Sequence, residues 1–96
     1  MTPISFEWDD AKASRNLAKH RMSFEMAKEA FSDPDAVIFD VTRKEDGETR
    51  LKVVGRIGVR LFAVVYTPRG VVRRLISARR ANAKEERRYG DRSQHI

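Results

Sequence analysis

Residues 60–80, RLFAVVYTPRGVVRRLISARR, determine the fold class because they hold two strand patterns around a turn. Arg60–Thr67 contains a continuous apolar core, which is typical of a central strand covered on both sides. Pro-Arg-Gly at 68–70 predicts a turn, and Val71–Ala78 predicts the next strand. This stretch therefore indicates an antiparallel sheet near the middle of the fold.

The segment upstream of this stretch also predicts strands. Ala36–Val41 is a β-type run, Asp46-Gly47 is a hairpin signal, and Thr49–Ile57 alternates apolar and basic residues.

Within residues 60–80, the adjacent Arg73 and Arg74 must point to opposite faces of their strand. At least one face of the sheet therefore presents arginine.

The N-terminal region predicts a strand followed by a polar helix. Ile4–Trp8 alternates apolar and polar residues, as a short half-buried strand does. The pair Asp9-Asp10 can cap a helix to about Arg21, in which we expect Leu17 to be the main core contact. Four polar residues recur at helical spacing and share one face of this helix: Lys12, Asn16, Lys19 and His20.

Two further helices are marked by their N-terminal caps. Ser23 caps a helix with an ordinary apolar stripe. Asn82 in the N-cap position with Glu85 three residues later resembles a capping box, and Gly90 suits the position after the last turn. These signals predict a short C-terminal helix followed by a flexible tail over residues 91–96.

Together the elements predict one α+β domain over residues 1–96, with its core in residues 4–90. The predicted order is a strand, two helices, a four-stranded antiparallel meander and a terminal helix. The chain has no cysteine, which excludes disulfides and thiolate metal sites and suits a reducing cytoplasm. Neither a signal peptide nor a membrane span is recognisable, so we expect a cytoplasmic protein without membrane association.

Positive charge is concentrated in the second half of the chain. The net charge is +6, but residues 1–48 hold 7 Lys and Arg against 11 Asp and Glu, whereas residues 49–96 hold 13 against 3. Eleven of those 13 cations are arginine, whose planar fork binds phosphate with two hydrogen bonds and stacks on bases. The charge pattern therefore favours a polyanion or an acidic protein as partner.

Cleavage of RNA by the ribose 2′-hydroxyl is the reaction that these residues suit best. No glycine-rich phosphate loop, metal-spaced histidine pair or nucleophile elbow is present, so we expect neither a metal nor a cofactor. Because the substrate supplies the nucleophile, the protein needs only proton transfer and fixed positive charge. His20 is the natural proton-transfer group, and Lys12, Lys19, Glu86 and Tyr89 are further candidates.

A series of short motifs runs along the chain in this order: Phe6-Glu7-Trp8-Asp9, Lys12, Asn16, Lys19-His20, Ser23-Phe24, Ala27, Phe31, Asp33-Pro34, Glu48–Arg50, Gly55, Val65-Tyr66, Ile76-Ser77-Ala78-Arg79, Ala81, Glu86 and Tyr89. Any one of these motifs is weak, but the ordered set is specific. Read in order, the motifs resemble the BrnT family, and the resemblance covers roughly residues 6–89.

The resemblance implies a RelE-like fold, a twisted antiparallel sheet with the N-terminal helices packed on one side. It also implies a toxin of a type II toxin–antitoxin system that cleaves RNA and blocks translation and growth. Its implied partner is a BrnA-like ribbon-helix-helix antitoxin, which forms a complex with the toxin that represses their operon. Because such an antitoxin is dimeric, we expect a two-plus-two assembly that contacts operator DNA through the antitoxin.

The resemblance also ranks the candidate site residues. Arg79 is the leading catalytic candidate, because the family motif includes it and it lies where the last strand meets the last helix. For RNA binding, the candidates are Arg74, Arg80, Ser77, Lys19 and Asn16. Two residues depart from the family pattern: Arg21 replaces an expected glycine between the helices, and Arg80 adds a cation that we expect to alter RNA binding.

A non-catalytic module that binds nucleic acid or a partner protein fits the basic half of the chain equally well. In one variant, the basic surface chiefly docks an acidic antitoxin segment and touches RNA only when the toxin is free. An ion pair between Glu86 and either Arg79 or Arg80 would then only fix local geometry. Cleavage of RNA by the purified protein distinguishes these alternatives.

Overall fold

The computed structural model describes residues 4–93, which form one five-stranded sheet with helices on both faces. No helix within these residues has the length and apolar composition needed to cross a membrane. The elements are β1 Ser5–Glu7, α1 Asp10–His20, α2 Phe24–Ala27 with a 3₁₀ turn Lys28–Ser32, β2 Val37–Asp40 with a 3₁₀ turn Lys44–Asp46, β3 Leu51–Ile57, β4 Arg60–Arg69, β5 Val72–Arg80 and α3 Ala83–Ser93.

The sheet is mixed, with strand order β1-β5-β4-β3-β2. Strands β2 to β5 form the predicted antiparallel meander. The prediction of a wholly antiparallel sheet is wrong at one edge, because β1 pairs with β5 in parallel, Ser5 opposite Val72. No hairpin joins these two strands, so no local turn signal in the sequence reports their relative direction.

The main core lies between the sheet and the segment from Met22 to the end of the first 3₁₀ turn. We call this side of the sheet the α2 face; its buried residues are Val53, Val64, Tyr66, Leu75 and Ala78 from the sheet, and Met22, Phe24, Ala27 and Ala30 from the covering segment. As predicted, Ser23 caps α2 by accepting a hydrogen bond from the Met26 N–H. Removal of this apolar surface from water is the principal stabilising contribution.

Close packing at the α2 face requires a glycine at position 55. A Cβ added to Gly55 would lie 2.4 Å from the backbone oxygen of Ala30, in the 3₁₀ turn over β3. Because the neighbouring atom belongs to the backbone, a side chain here would push the two layers apart. The covering layer therefore approaches β3 more closely than a residue with a side chain at position 55 would permit.

The opposite side, the α3 face, is packed against the C-terminal helix through Val54, Ala63 and Tyr89. Asn82 and Glu85 form the predicted reciprocal capping box at the start of α3. The helix continues through Gly90 to Ser93, so the predicted end at Gly90 is wrong. Glycine weakens a helix by about 1 kcal/mol but does not terminate it. Residues 94–96, including His95, lie outside the described residues.

An irregularity in β5 determines which of its side chains reach each face. Val65 pairs with Ser77 but Tyr66 pairs with Leu75, so Ile76 is an extra residue opposite β4. A bulge of this kind shifts the alternation of side chains by one residue. As a result, Leu75 and Ala78 both enter the core of the α2 face although they are three residues apart.

The position of α1 contradicts the expectation for Leu17. Leu17 is 52% exposed, whereas the neighbouring Asn16 is only 7% exposed. The helix lies along the edge of β5 through a polar contact, so its buried position carries an amide rather than an aliphatic side chain. The predicted N-cap is confirmed as Asp9, which accepts a hydrogen bond from the Lys12 N–H.

Arg21, which replaces the expected glycine, ends α1 in the left-handed conformation, with φ 56° and ψ 34°. An L-residue pays about 1–2 kcal/mol for this conformation, and glycine adopts it freely. We therefore expect Arg21→Gly to raise the free energy of unfolding by about 1 kcal/mol, measured by urea denaturation. Arg21→Ala is the matched control, since it removes the charge but keeps the strain. Equal stabilisation by both variants would contradict this explanation.

Candidate active site

A groove between α1 and β5 gathers residues that are distant in sequence. It has a volume of about 340 Å³ and is lined by Lys12, Arg15, Asn16, Lys19, His20, Ile76 and Ser77. Five of these residues are sequence-predicted site residues, contributed by both halves of the chain. We call this feature the α1–β5 groove; it combines an imidazole, a hydroxyl and three cationic side chains.

The groove exists because the side chain of Asn16 replaces a neighbouring strand along β5. Its Nδ2 donates to the Ala78 oxygen at 2.9 Å, and its Oδ1 accepts from the Ala78 N–H at 2.9 Å. A residue in an adjacent strand would form the same pair of bonds with a peptide. Nδ2 also donates to the Met22 oxygen at 2.9 Å, which fixes the connection between α1 and α2.

These contacts give Asn16 a structural function in addition to its predicted contact with RNA. β1 covers β5 only from Val72 to Arg74, so α1 takes over the edge where β1 ends. Both amide hydrogens of Asn16 are used, so any contact with RNA would have to use the remaining acceptor position on Oδ1.

Arg79 follows the groove residue Ser77 by two positions on β5 and is held by a buried carboxylate. Ser77 and Arg79 both point to the α3 face of the sheet. Their partners on β4 are Val65 and Ala63, and these alternate along β4 with residues whose side chains enter the core of the α2 face. Ser77 and Arg79 are separated by about 7 Å along the strand. Arg79 donates from Nη1 to Glu85 Oε1 at 2.8 Å and from Nη2 to Oε2 at 2.9 Å.

Glu85 was recognised in the sequence only as a helix cap, but it is the centre of this cluster. It also accepts from Lys52 Nζ at 2.6 Å and from the Asn82 N–H at 2.9 Å. The ion pair expected of Glu86 is therefore made by Glu85, and Glu86 is exposed. Burial alone would raise the pKa of Glu85, but the hydrogen bonds from Arg79, Lys52 and Asn82 outweigh it and lower that pKa to about 2.

Tyr89 belongs to a different cluster on α3. Its ring is buried in the core of the α3 face, and its hydroxyl donates to Asp33 Oδ2 at 2.8 Å. The guanidinium carbon of Arg56 lies 5.9 Å from the centre of the ring. Burial and the hydrogen bond to Asp33 raise the pKa of Tyr89. The structure therefore brings Tyr89 to Asp33 and Arg56, while Arg79 is held by Glu85.

The remaining arginine candidates divide between the two faces. Arg74 lies on the α3 face and donates to Glu7 Oε2 at 2.6 Å. Arg73 lies on the α2 face, 5.9 Å from the ring centre of Tyr66, which confirms that the two point in opposite directions. Arg80 is exposed and by alternation lies opposite to Arg79. Arg79 and Arg80 therefore do not form one continuous surface.

A second groove, of about 210 Å³, was not anticipated from the sequence. It is lined by Phe39, Lys52, Asn82, Lys84, Glu85 and Arg88. Arg88 lies 4.7 Å and Lys52 5.7 Å from the centre of the Phe39 ring. Phe39 was part of an unexceptional strand pattern, and its proximity to two cations arises only from the packing of α3 on β2 and β3.

These features define a small basic α+β protein with a cationic cleft suited to a polyanion. Among residues 4–93, no group of three or more His, Cys, Asp or Glu side chains is placed to hold a metal ion. The family model for the BrnT ribonuclease toxin of type II toxin–antitoxin systems matches residues 8–85, and the chain belongs to this family. A comparison with curated protein sequences found no match.

The lowered pKa of Glu85 predicts a specific dependence of stability on pH. A carboxylate with a folded-state pKa below its ordinary value of 4.5 stabilises the fold above pH 4.5, and this stabilisation is lost as the pH falls toward about 2. We expect the contribution of Glu85 to the free energy of unfolding, measured by urea denaturation, to fall by an amount on the order of 3 kcal/mol between pH 6 and pH 2. This part of the pH dependence should be absent in Glu85→Gln and present in Glu86→Gln. An unchanged pH dependence in Glu85→Gln would contradict the assignment.

Proposed function

We propose that the protein is a metal-independent endoribonuclease that cleaves RNA at the α1–β5 groove and thereby inhibits translation and growth. The observation that carries the proposal is the meeting of Lys12, Lys19 and His20 with Ser77 in one groove. The family description, a ribonuclease toxin, supports RNA as the substrate. Arg79, on the same side of β5 as Ser77, supplies positive charge next to this groove.

In the proposed reaction, the ribose 2′-oxygen attacks the adjacent phosphorus, and the 5′-oxygen of the next nucleotide leaves. His20 transfers a proton at one of these oxygens, since imidazole both accepts and donates protons near neutral pH. Lys12 acts as the second proton-transfer group or neutralises the phosphate. The products are a 2′,3′-cyclic phosphate and a 5′-hydroxyl, which require no metal ion.

Arg79 stabilises the negative charge that develops on the phosphorane, for which paired N–H donors are well suited. Ser77 orients the phosphate, and Lys19 and Arg74 hold the flanking backbone. The geometry gives less support to Tyr89, whose hydroxyl donates to Asp33. Glu86, which is exposed on α3, and Arg80, on the α2 face, likewise remain sequence-based candidates.

For regulation, we propose a BrnA-like ribbon-helix-helix antitoxin that neutralises the toxin in a two-plus-two complex. The complex represses its own operon, and the antitoxin makes the contacts with operator DNA. Membership in a type II toxin family supports an antitoxin partner. The α+β architecture supports a RelE-like fold, and a toxin that acts on cellular RNA is placed in the cytoplasm.

A non-catalytic binding module is the second candidate function. The observation that favours it is the pairing of Arg79 with Glu85 and of Arg74 with Glu7, since such ion pairs also occur where charges serve only structure. Under this alternative, the basic half of the chain binds RNA or an acidic antitoxin segment without changing it.

Purified protein is expected to shorten RNA equally in EDTA and in Mg²⁺ buffers, with cyclic-phosphate ends detected by RNA-end sequencing. Because proton transfer by a side chain is worth about 10²–10⁴ in rate, His20→Ala should lower cleavage by that factor while the protein remains folded. Arg79→Ala should lower it about 10²–10³-fold and abolish growth arrest on induction.

The matched control is Lys44→Ala, which removes an exposed cation from the loop between β2 and β3. This variant should cleave RNA at a rate close to that of the wild type. Binding of RNA without shortening in both buffers would reject the enzyme and favour the binding module. Cleavage only with Mg²⁺ would reject metal independence.

A further inference from the structure

Arg79 has one pair of hydrogen-bond donors left for a ligand. A guanidinium carries five N–H donors in a planar fork. Glu85 takes one hydrogen from each terminal nitrogen, and the Arg80 oxygen takes the second hydrogen of Nη1 at 3.1 Å. Within residues 4–93, no hydrogen bond occupies Nε–H or the second hydrogen of Nη2. These two lie side by side on one edge, which is the arrangement that binds a phosphate through two oxygens.

Glu85 is fully occupied by its donors. Its Oε1 accepts from Arg79 and the Asn82 N–H, and its Oε2 accepts from Arg79 and Lys52. A carboxylate offers about four lone-pair positions, so these four bonds leave no position for a substrate proton. The side chain of Glu85 is 5% exposed, whereas that of Arg79 is 36% exposed. Glu85 is therefore placed to act on Arg79 and not on RNA.

We propose that Glu85 is a positioning residue that holds Arg79 so that the Nε–H and Nη2–H edge alone is presented to the scissile phosphate. This inference rests on the proposed ribonuclease function. The buried carboxylate fixes the plane of the guanidinium in advance, so the contact with the phosphorane requires no rearrangement during the reaction. Asn82 links this arrangement to the first turn of α3, and the Arg80 oxygen blocks the remaining edge.

If the ion pair between Glu85 and Arg79 served only the fold, a substitution of Glu85 would lower stability without lowering the rate of RNA cleavage by the folded protein. Lys52 separates the two interpretations, because it donates to the same carboxylate but, as a donor itself, forms no hydrogen bond with the guanidinium of Arg79. Lys52→Met removes one ion pair of Glu85 and keeps the contact between Glu85 and Arg79. It therefore serves as a control that lowers stability without releasing the guanidinium.

The test compares steady-state RNA cleavage by four variants with the wild type: Glu85→Gln, Lys52→Met, Arg79→Ala and the Arg79→Ala/Glu85→Gln double variant. Glu85→Gln should lower kcat by about 10–100-fold with less than about threefold change in KM, since the lost contact is specific to the transition state. Lys52→Met should keep kcat within about threefold despite lower stability. The double variant should cleave no more slowly than Arg79→Ala, because Glu85 acts only through Arg79.

Three results would overturn the proposal: an unchanged kcat in Glu85→Gln, equal losses in Glu85→Gln and Lys52→Met, or a further loss when Glu85→Gln is added to Arg79→Ala. If Glu85→Gln does not fold, Glu85→Asp keeps the charge but is too short to reach both terminal nitrogens, and the same kcat loss is expected. Lack of cleavage by the wild type would instead reject the proposed function, so the two failures are distinguishable.

Discussion

The hydrogen bonds between the Asn16 amide and the Ala78 peptide are the constraint on which the cleft depends. They join positions 62 residues apart and complete the edge of β5 beyond the short β1. A buried backbone N–H without a partner costs about 1–3 kcal/mol, so α1 is stably placed only when the amide of Asn16 faces β5. This placement brings Lys12, Lys19 and His20 to the strand.

The second constraint is the carboxylate of Glu85, which compensates the positive charge of Arg79 and Lys52 beneath α3. A buried charge is tolerated when it is paired and hydrogen-bonded, and Glu85 meets both conditions. The two constraints act on adjacent residues of β5, since Asn16 bonds to Ala78 and Glu85 bonds to Arg79. Together they explain how an N-terminal half of net negative charge can contribute its cationic helix face to a site dominated by the basic half.

Much of the fold follows from the sequence, because alternation and turn residues specify the meander from β2 to β5. The parallel pairing of β1 is set by tertiary packing and leaves no local signal. Leu17 was expected in the core because it is apolar, but the contact at the edge of β5 needs a polar group, so Asn16 is buried instead. Similarly, Glu85 was identified as a cap, but its ion pairs depend on the distant Lys52 and on the bulge at Ile76.

The central claim, that both halves of the chain form one RNA site on the α1–β5 side, is tested most directly by NMR. A short RNA with 2′-O-methyl groups lacks the nucleophile, so it can be titrated into ¹⁵N-labelled protein without being cleaved. The amides of Lys12–His20 and of Ser77–Arg79 are predicted to shift together at one affinity, which falls as salt is added. Shifts confined to the α2 face, or to α3 without α1, would contradict the account.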